Sequence, residues 1–247
     1  MFYTILLFIL IIIFLYYYFR DTKKEKIILV TQYYIPKNKE REQEINTCLI
    51  KNLENNIIDE IHLYIENDYD FNFLKNKNKI KFIKTNKQLS YNTVFNYSNI
   101  YDENYIIILS NSDIYFNNIL KNIYNLNFKN IFYALNRYDI DKNNKLVLYD
   151  VNYSQDVWIW KPPINIIIND NNINDYFDIN DGIILGVGGC DNRILKVVKD
   201  SGYIIKNASD KIQSIHNHKN NYRTWINDKE KLELRKKYIS NGIITLN

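Results

Sequence analysis

Residues 105–116 read YIIILSNSDIYF: an apolar run from Tyr105 to Leu109, then Ser110, Asn111, Ser112 and Asp113. A run that short suits a strand buried on both faces, as in a parallel sheet. Residues directly after such a strand stand at its carboxyl end, where open α/β sheets place their ligands. An acidic side chain there can hold a divalent cation, because Mg2+ and Mn2+ take oxygen ligands and share them with substrate phosphates. Asn, Ser and Asp are also common turn formers, so the stretch alone reads equally well as an ordinary turn.

Working outward, Ile27 to Tyr34 (IILVTQYY) is a second compact apolar run, ended by Pro36. From Asn38 to Asn55, Ile45, Cys48, Leu49 and Leu53 recur at helical spacing with charged residues on the other face. Ile61 to Ile65 and Ile80 to Lys84 read as strands, Ser90 to Ile100 as a helix, Asn118 to Ile123 as a short helix and Ile131 to Leu135 as a strand. Strands thus alternate with helices, which predicts an α/β domain with a mainly parallel sheet and helices on both faces. Its crevice should lie just after Tyr34, Leu109 and Leu135. The second half mixes shorter strands and loops, with no internal repeat.

The chain has 247 residues and a net charge of +4, with basic residues interleaved among acids; this leaves no stripe for a nucleic acid. Cys48 and Cys190 make neither a disulfide framework nor a zinc site and read as free thiols. Ile, Asn, Lys and Tyr dominate, so the Asn169 to Asn174 run reads as a polar loop and the sequons at Asn96, Asn152 and Asn207 as products of composition. Phe2 to Phe19 carries no charge, and as a helix it spans about 27 Å, enough for a bilayer core. It lacks the basic start and small-residue cleavage site of a signal peptide. The expected organisation is a transmembrane anchor over residues 1–20, a charged linker over 21–26 and one domain over 27–247.

Further segments carry candidate chemistry. In Ser154-Gln155-Asp156-Val157-Trp158-Ile159-Trp160, Asp156 can face a sugar hydroxyl or a metal, while Trp158 and Trp160 share one strand face and read as core. Gly186, Gly188 and Gly189 imply a bend or a close approach to ligand. Asp191 follows them near the start of a helix expected over Asn192 to Ser201, either as a functional acid or as an N-cap. His216 and His218 fall two apart, on one face if extended, followed by Tyr222 and Arg223; imidazole is a common metal ligand. His62, inside a strand, reads as structural. Lys37, Lys39 and Arg41 follow the first strand. Arg41 can pair with a phosphate, since a guanidinium matches its geometry, or belong to a solvated helix face. Arg137 and Arg193 are candidates to meet substrate, or salt-bridge partners.

Taken together, TQYYIPKNKEREQEI, LSNSDIYF, ALNRYD, SQDVWIWK, GVGGCDNRI and IHNHKNNYR resemble a family of small glycosyltransferase-like proteins with the GT-A fold, a Rossmann-like architecture. The resemblance covers nearly all of the chain after residue 26. It implies a nucleotide-diphosphate-sugar donor, a UDP- or GDP-sugar, with Mn2+ or Mg2+ as cofactor and a glycan, protein or lipid acceptor. In that family a DxD motif at a strand end binds metal and donor phosphates. Here Asn111 replaces the first Asp, leaving Asp113 as the main acidic ligand. A late His often completes the metal shell, which His216 or His218 would supply. Inverting members use an acidic residue opening a late helix as general base, the place Asp191 matches, with Asn192 and Arg193 beside it. Asn111, Asp156, Arg137 and Arg41 are the implied substrate contacts.

Two other function classes fit the same residues. A metal-dependent phosphodiesterase or nucleotidyl transferase would use Asp113, Asp156, Asp191 and the His pair without a sugar acceptor. A non-catalytic tethered domain would bind sugar or nucleotide without turnover. The positive-inside rule, applied to Arg20, Lys23, Lys24 and Lys26, puts the domain in the cytosol, whereas a transferase acting on secretory cargo needs the other side.

Overall fold

The computed structural model describes residues 7–15, 25–151, 153–166, 182–218 and 228–240. Two sheets organise them. The larger has the strand order β10-β6-β9-β4-β1-β2-β3 and the smaller β5-β11-β7-β8. In the larger sheet β1 (Lys26–Tyr33) lies between β2 (Glu60–Ile65) and β4 (Tyr105–Ser110), and β2 leads on to β3 (Ile80–Lys84), all parallel. Beyond β4 stands β9 (Val157–Trp160), antiparallel both to β4 and to β6 (Ile131–Leu135). β10 (Ile204–Lys206) closes that edge parallel to β6. The expected mainly parallel sheet is therefore present, with β9 the inserted exception.

Alternate residues of the central strands feed two apolar layers, as the pleat demands. Ile27, Leu29, Ile61 and Leu63 pack with Ile45 and Leu49 of α1 (Lys39–Glu54) on one side. On the other side Ile28, Val30, Ile107, Leu109, Trp158 and Trp160 pack with α2 (Tyr91–Ser98) and with α3 (Cys190–Asp200) through Leu195 and Val198. Both tryptophans are core, as expected from their spacing. Cys48 and Cys190 are buried free thiols, and His62 is fully buried with Nε2 on Glu60.

The helix starts follow capping chemistry. Asn38 accepts the Arg41 backbone N–H at α1, and Ser90 accepts that of Thr93 at α2. At α3 the helix begins at Cys190, two residues before the expected Asn192, because Gly189 makes the turn at φ 86°. A Cβ on Gly189 would lie 3.0 Å from Ile239 Cγ1, on α4 (Lys229–Ser240). This glycine serves a left-handed turn and a close helix packing rather than a ligand. The short helix expected over Asn118 to Ile123 is a 3₁₀ helix, Asn118–Asn125.

The smaller sheet joins distant parts of the chain. β11 (Ser214–His216) runs antiparallel to β5 (Ile114–Phe116) and parallel to β7 (Arg137–Ile140), which pairs in turn with β8 (Leu146–Leu148). Its register sets His216 opposite Ile114 on one side and Asp139 on the other.

Of the expected anchor, residues 7–15 are helical and exposed, and the rest lies outside the described residues. Among the described residues no helix is long and apolar enough to cross a membrane. The charged linker up to Lys24, the sequon at Asn152, the Asn169 to Asn174 run, and Tyr222 and Arg223 also lie outside the described residues.

Candidate active site

The site grows from the turn after β4. Asp113 is buried, and its Oδ2 gathers several donors. Arg41 Nη2, from the first turn of α1, donates to it at 2.6 Å, and His216 Nε2, from the end of β11, at 3.0 Å. His218 Nδ1 stands 3.7 Å from the same oxygen. The backbone N–H of Asn217 donates to the Asp113 carbonyl and its side chain to that of Glu44, so the segment carrying both histidines is tied to the β4 turn and to α1. The two imidazoles stack at 5.1 Å with 7° between their planes.

Each member is held in turn by another charge. Arg41 Nη1 pairs with Glu44 Oε2 at 3.0 Å. His216 Nδ1 donates to Asp139 Oδ1 at 2.9 Å, placing the ring between two carboxylates. Burial alone would strip its proton, but the Asp113 charge and hydrogen bonds to Asp113 and Asp139 raise its pKa to about 9. Burial likewise opposes the charge on Asp113, yet His216, followed by Arg41, holds that carboxyl well below the usual carboxylate range. Next to this cluster Arg137 joins Asp139 and Asp156, each at 3.1 Å, and lies over the Tyr149 ring at 4.2 Å. Asn111 Nδ2 donates to Asp156 Oδ1 at 2.7 Å.

These groups line one cleft of about 760 Å³ at the carboxyl ends of β1 and β4, the position expected of an α/β sheet. Arg41, Asn111, Asp113, Arg137, Asp156, His216 and His218 are all on its wall. Arg41 is therefore a buried member of the site and not part of a solvated helix face.

The segment around Asp191 lies behind the cleft wall, against the residue next to Asp156. Asp191, Asn192 and Arg193 are not on the cleft wall. Asn192 is buried with Nδ2 on the Tyr153 carbonyl, and Arg193 is buried near Asp200 and Tyr238, so neither is presented to a ligand in the cleft. The reason is local: the α3 start at Cys190 turns these side chains inward. Asp191 accepts from the backbone N–H of Asn192 and of Gln155, one residue before Asp156. Burial, joined by the Asp156 charge, pushes its carboxyl up to about 6.

Sequence reasoning passed over Glu44 and Asp139, which hold Arg41 and His216. Glu44 had a signal, since i and i+3 meet on a helix. Asp139 lies in the quoted ALNRYD stretch, but its value comes from facing β11, which no local pattern reveals. Gln32, Tyr34 and Lys231 also line the cleft.

Asp113, His216 and His218 offer one carboxylate oxygen and two imidazole nitrogens, all within 4.8 Å of one another. A carboxylate with two imidazoles is a donor set for a divalent transition-metal ion rather than for Mg2+ or Ca2+, which take oxygen ligands almost throughout. His218 Nε2 is buried without a partner among the described residues, which marks a polar site not satisfied by the protein alone. The donor set fits a divalent ion once Arg41 yields its place on Asp113 and His218 and His216 gives up its Nε2 proton, since a ligating imidazole must offer a lone pair.

No protein-family model matches the chain, and no curated protein sequence matches it significantly. The structural neighbours include glycosyltransferases and nucleotidyltransferases. The mannosyltransferase PcManGT from Pyrobaculum calidifontis, in complex with GDP-Man and Mn2+, superposes with a TM-score of 0.50 at 11% identity, over 83% of this chain and 60% of that one. The inositol-1-phosphate CTP transferase from T. maritima gives 0.45 at 16% identity, over 90% and 98%. The 4-diphosphocytidyl-2C-methyl-D-erythritol synthase from Anaerococcus prevotii gives 0.44 at 12%, over 86% and 96%. At such identities the likeness is one of fold: a mixed α/β, Rossmann-like, GT-A-like domain.

Proposed function

We propose that the chain is a glycosyltransferase that takes a sugar from a nucleotide-diphosphate-sugar, with a divalent metal, and passes it to an acceptor hydroxyl with inversion. The observation that carries this reading is the meeting of Asp113 with His216 and His218 at the carboxyl end of β4, inside a cleft that also holds Arg41 and Arg137. A divalent ion there would neutralise charge on the departing diphosphate. Arg41 and Arg137 would bind and orient the diphosphate, because guanidinium forks match phosphate oxygens. Asn111 and Asp156, already joined, would present a polar edge to the sugar. Asp191 would accept the proton of the attacking hydroxyl; a pKa of about 6 leaves it ionised at neutral pH yet basic enough for the task. The uncharged N-terminal stretch would tether the domain to a membrane, and resistance of the full chain to alkaline carbonate extraction tests that part.

The test is thermal unfolding against a panel of UDP- and GDP-sugars, with and without Mn2+. A ligand at about 100 times its Kd adds about 2.7 kcal/mol, a rise of roughly 5–10 °C for a domain of this size. The expected result is such a rise with one donor class, larger with Mn2+ and lost in Asp113→Asn. No rise with any donor in a folded sample sinks the reading.

One observation favours a second reading. Asp191 is not on the cleft wall, and nucleotidyl transfer to a phosphate needs no hydroxyl base. Products separate the two: a transferred sugar with released nucleoside diphosphate, or released pyrophosphate.

A further inference from the structure

Arg41 stands on the atoms that an ion would need. Its Nη2 donates to Asp113 Oδ2 and its Nη1 to His218 Nδ1, each at 2.6 Å. A guanidinium has donors only, so His218 Nδ1 must be the acceptor. A neutral His218 then carries its proton on Nε2, the atom left buried without a partner among the described residues. While Arg41 stays, His218 has no lone pair to offer a metal. An ion bonded to Asp113 Oδ2 at roughly 2.0–2.6 Å would also face the guanidinium across a buried gap, where like charges repel strongly. Metal and guanidinium would compete for Asp113 Oδ2 and His218 Nδ1.

Arg41 also has somewhere to go. It lines the cleft that would receive the donor, and it is tethered to Glu44 one turn along α1. A diphosphate offers the fork a better-matched bidentate partner than the single oxygen of Asp113. Departure of Arg41 frees the Nδ1 lone pair of His218 without moving a proton on that ring.

We propose that Arg41 and the divalent ion occupy the Asp113–His218 position by turns, and that the donor diphosphate draws Arg41 away, so that nucleotide and metal bind cooperatively. This rests on the metal-dependent reading above. Because coupling is reciprocal, each ligand must tighten the other by the same factor.

The experiment is Mn2+ binding to the full chain, followed by electron paramagnetic resonance with and without UDP or GDP and corrected for Mn2+ held by nucleotide alone. The wild type should bind Mn2+ about 10-fold tighter when nucleotide is present, within the usual range of such couplings. Arg41→Gln should bind Mn2+ alone about 10-fold tighter than wild type and lose most of the nucleotide enhancement. Arg41→Lys should fall between them, since an ammonium cannot span both acceptors; it carries the test if Arg41→Gln does not fold. Mn2+ affinity of both variants equal to or below wild type overturns the proposal while leaving the metal-dependent function standing. Nucleotide binding with no Mn2+ uptake in any form overturns both.

Discussion

At the scale of single residues, Asp191 makes the sharpest claim. Burial raises its pKa from 3.8 to about 6, so the folded chain holds that proton more tightly than the unfolded chain does. The resulting stabilisation is full below about pH 3.8 and is lost as pH rises through about 6, a change of up to about 3 kcal/mol for a shift of about two pH units. Urea unfolding of wild type and Asp191→Asn at pH 4 and pH 7 should show the difference between them moving by up to that amount, with the wild type relatively weaker at pH 7. A difference equal at both pH values would remove the premise for a poised base. In the transferase reading, kcat/KM should also rise through about pH 6, and Asp191→Asn should lose turnover while keeping donor affinity.

At the scale of elements, β9 joins the two halves of the larger sheet, and Trp158 at its centre is fully buried with its ring edge-on to Tyr91 at 4.9 Å. Trp158→Ala should therefore cost about 3–5 kcal/mol by urea unfolding. A loss under about 1 kcal/mol would mean that β9 is not the keystone it looks. This strand was legible in the sequence as an aromatic run with its tryptophans on one face, although its antiparallel direction was not. β1, β2, β4 and β6 were legible for a related reason: apolar runs between polar turns announce buried strands, whereas β3 (IKFIK) interleaves lysines as a half-exposed edge does. β5, β7, β8 and β11 span three or four residues each, too few for a local pattern to separate them from loop. The site divides the same way. Asp113 was readable as an acid at a strand end. Its union with His216 depends on the pairing of β11 with β5 and β7, which is a fact of register between distant segments. The glycines before Asp191 suggested a bend or a close approach to ligand: Gly186 lines the cleft, while Gly189 serves the packing of α4 on α3.

At the scale of the whole molecule, stability should be graded from the centre of the larger sheet outward. β1 and β4 are buried nearly throughout, whereas β3 and β10 are edge strands with exposed residues. Amide hydrogen exchange should be roughly 100-fold or more slower in β1, β4 and β9 than in those edges, because edges open locally while the centre opens only with global unfolding. Uniform exchange across the sheet would contradict a single apolar core on each face of β1 and β4.

The route by which β11 completes the site also has a consequence in time. Asp113 and His216 are separated by 103 positions in the chain. A ribosome adding roughly 5–20 residues per second therefore needs on the order of 5–20 s to deliver the imidazole after the carboxylate. Arg41 is made before either. A message truncated ahead of codon 216 would still encode the central strands β1 to β4 and β9 together with Arg41 and Asp113, but neither imidazole of the site.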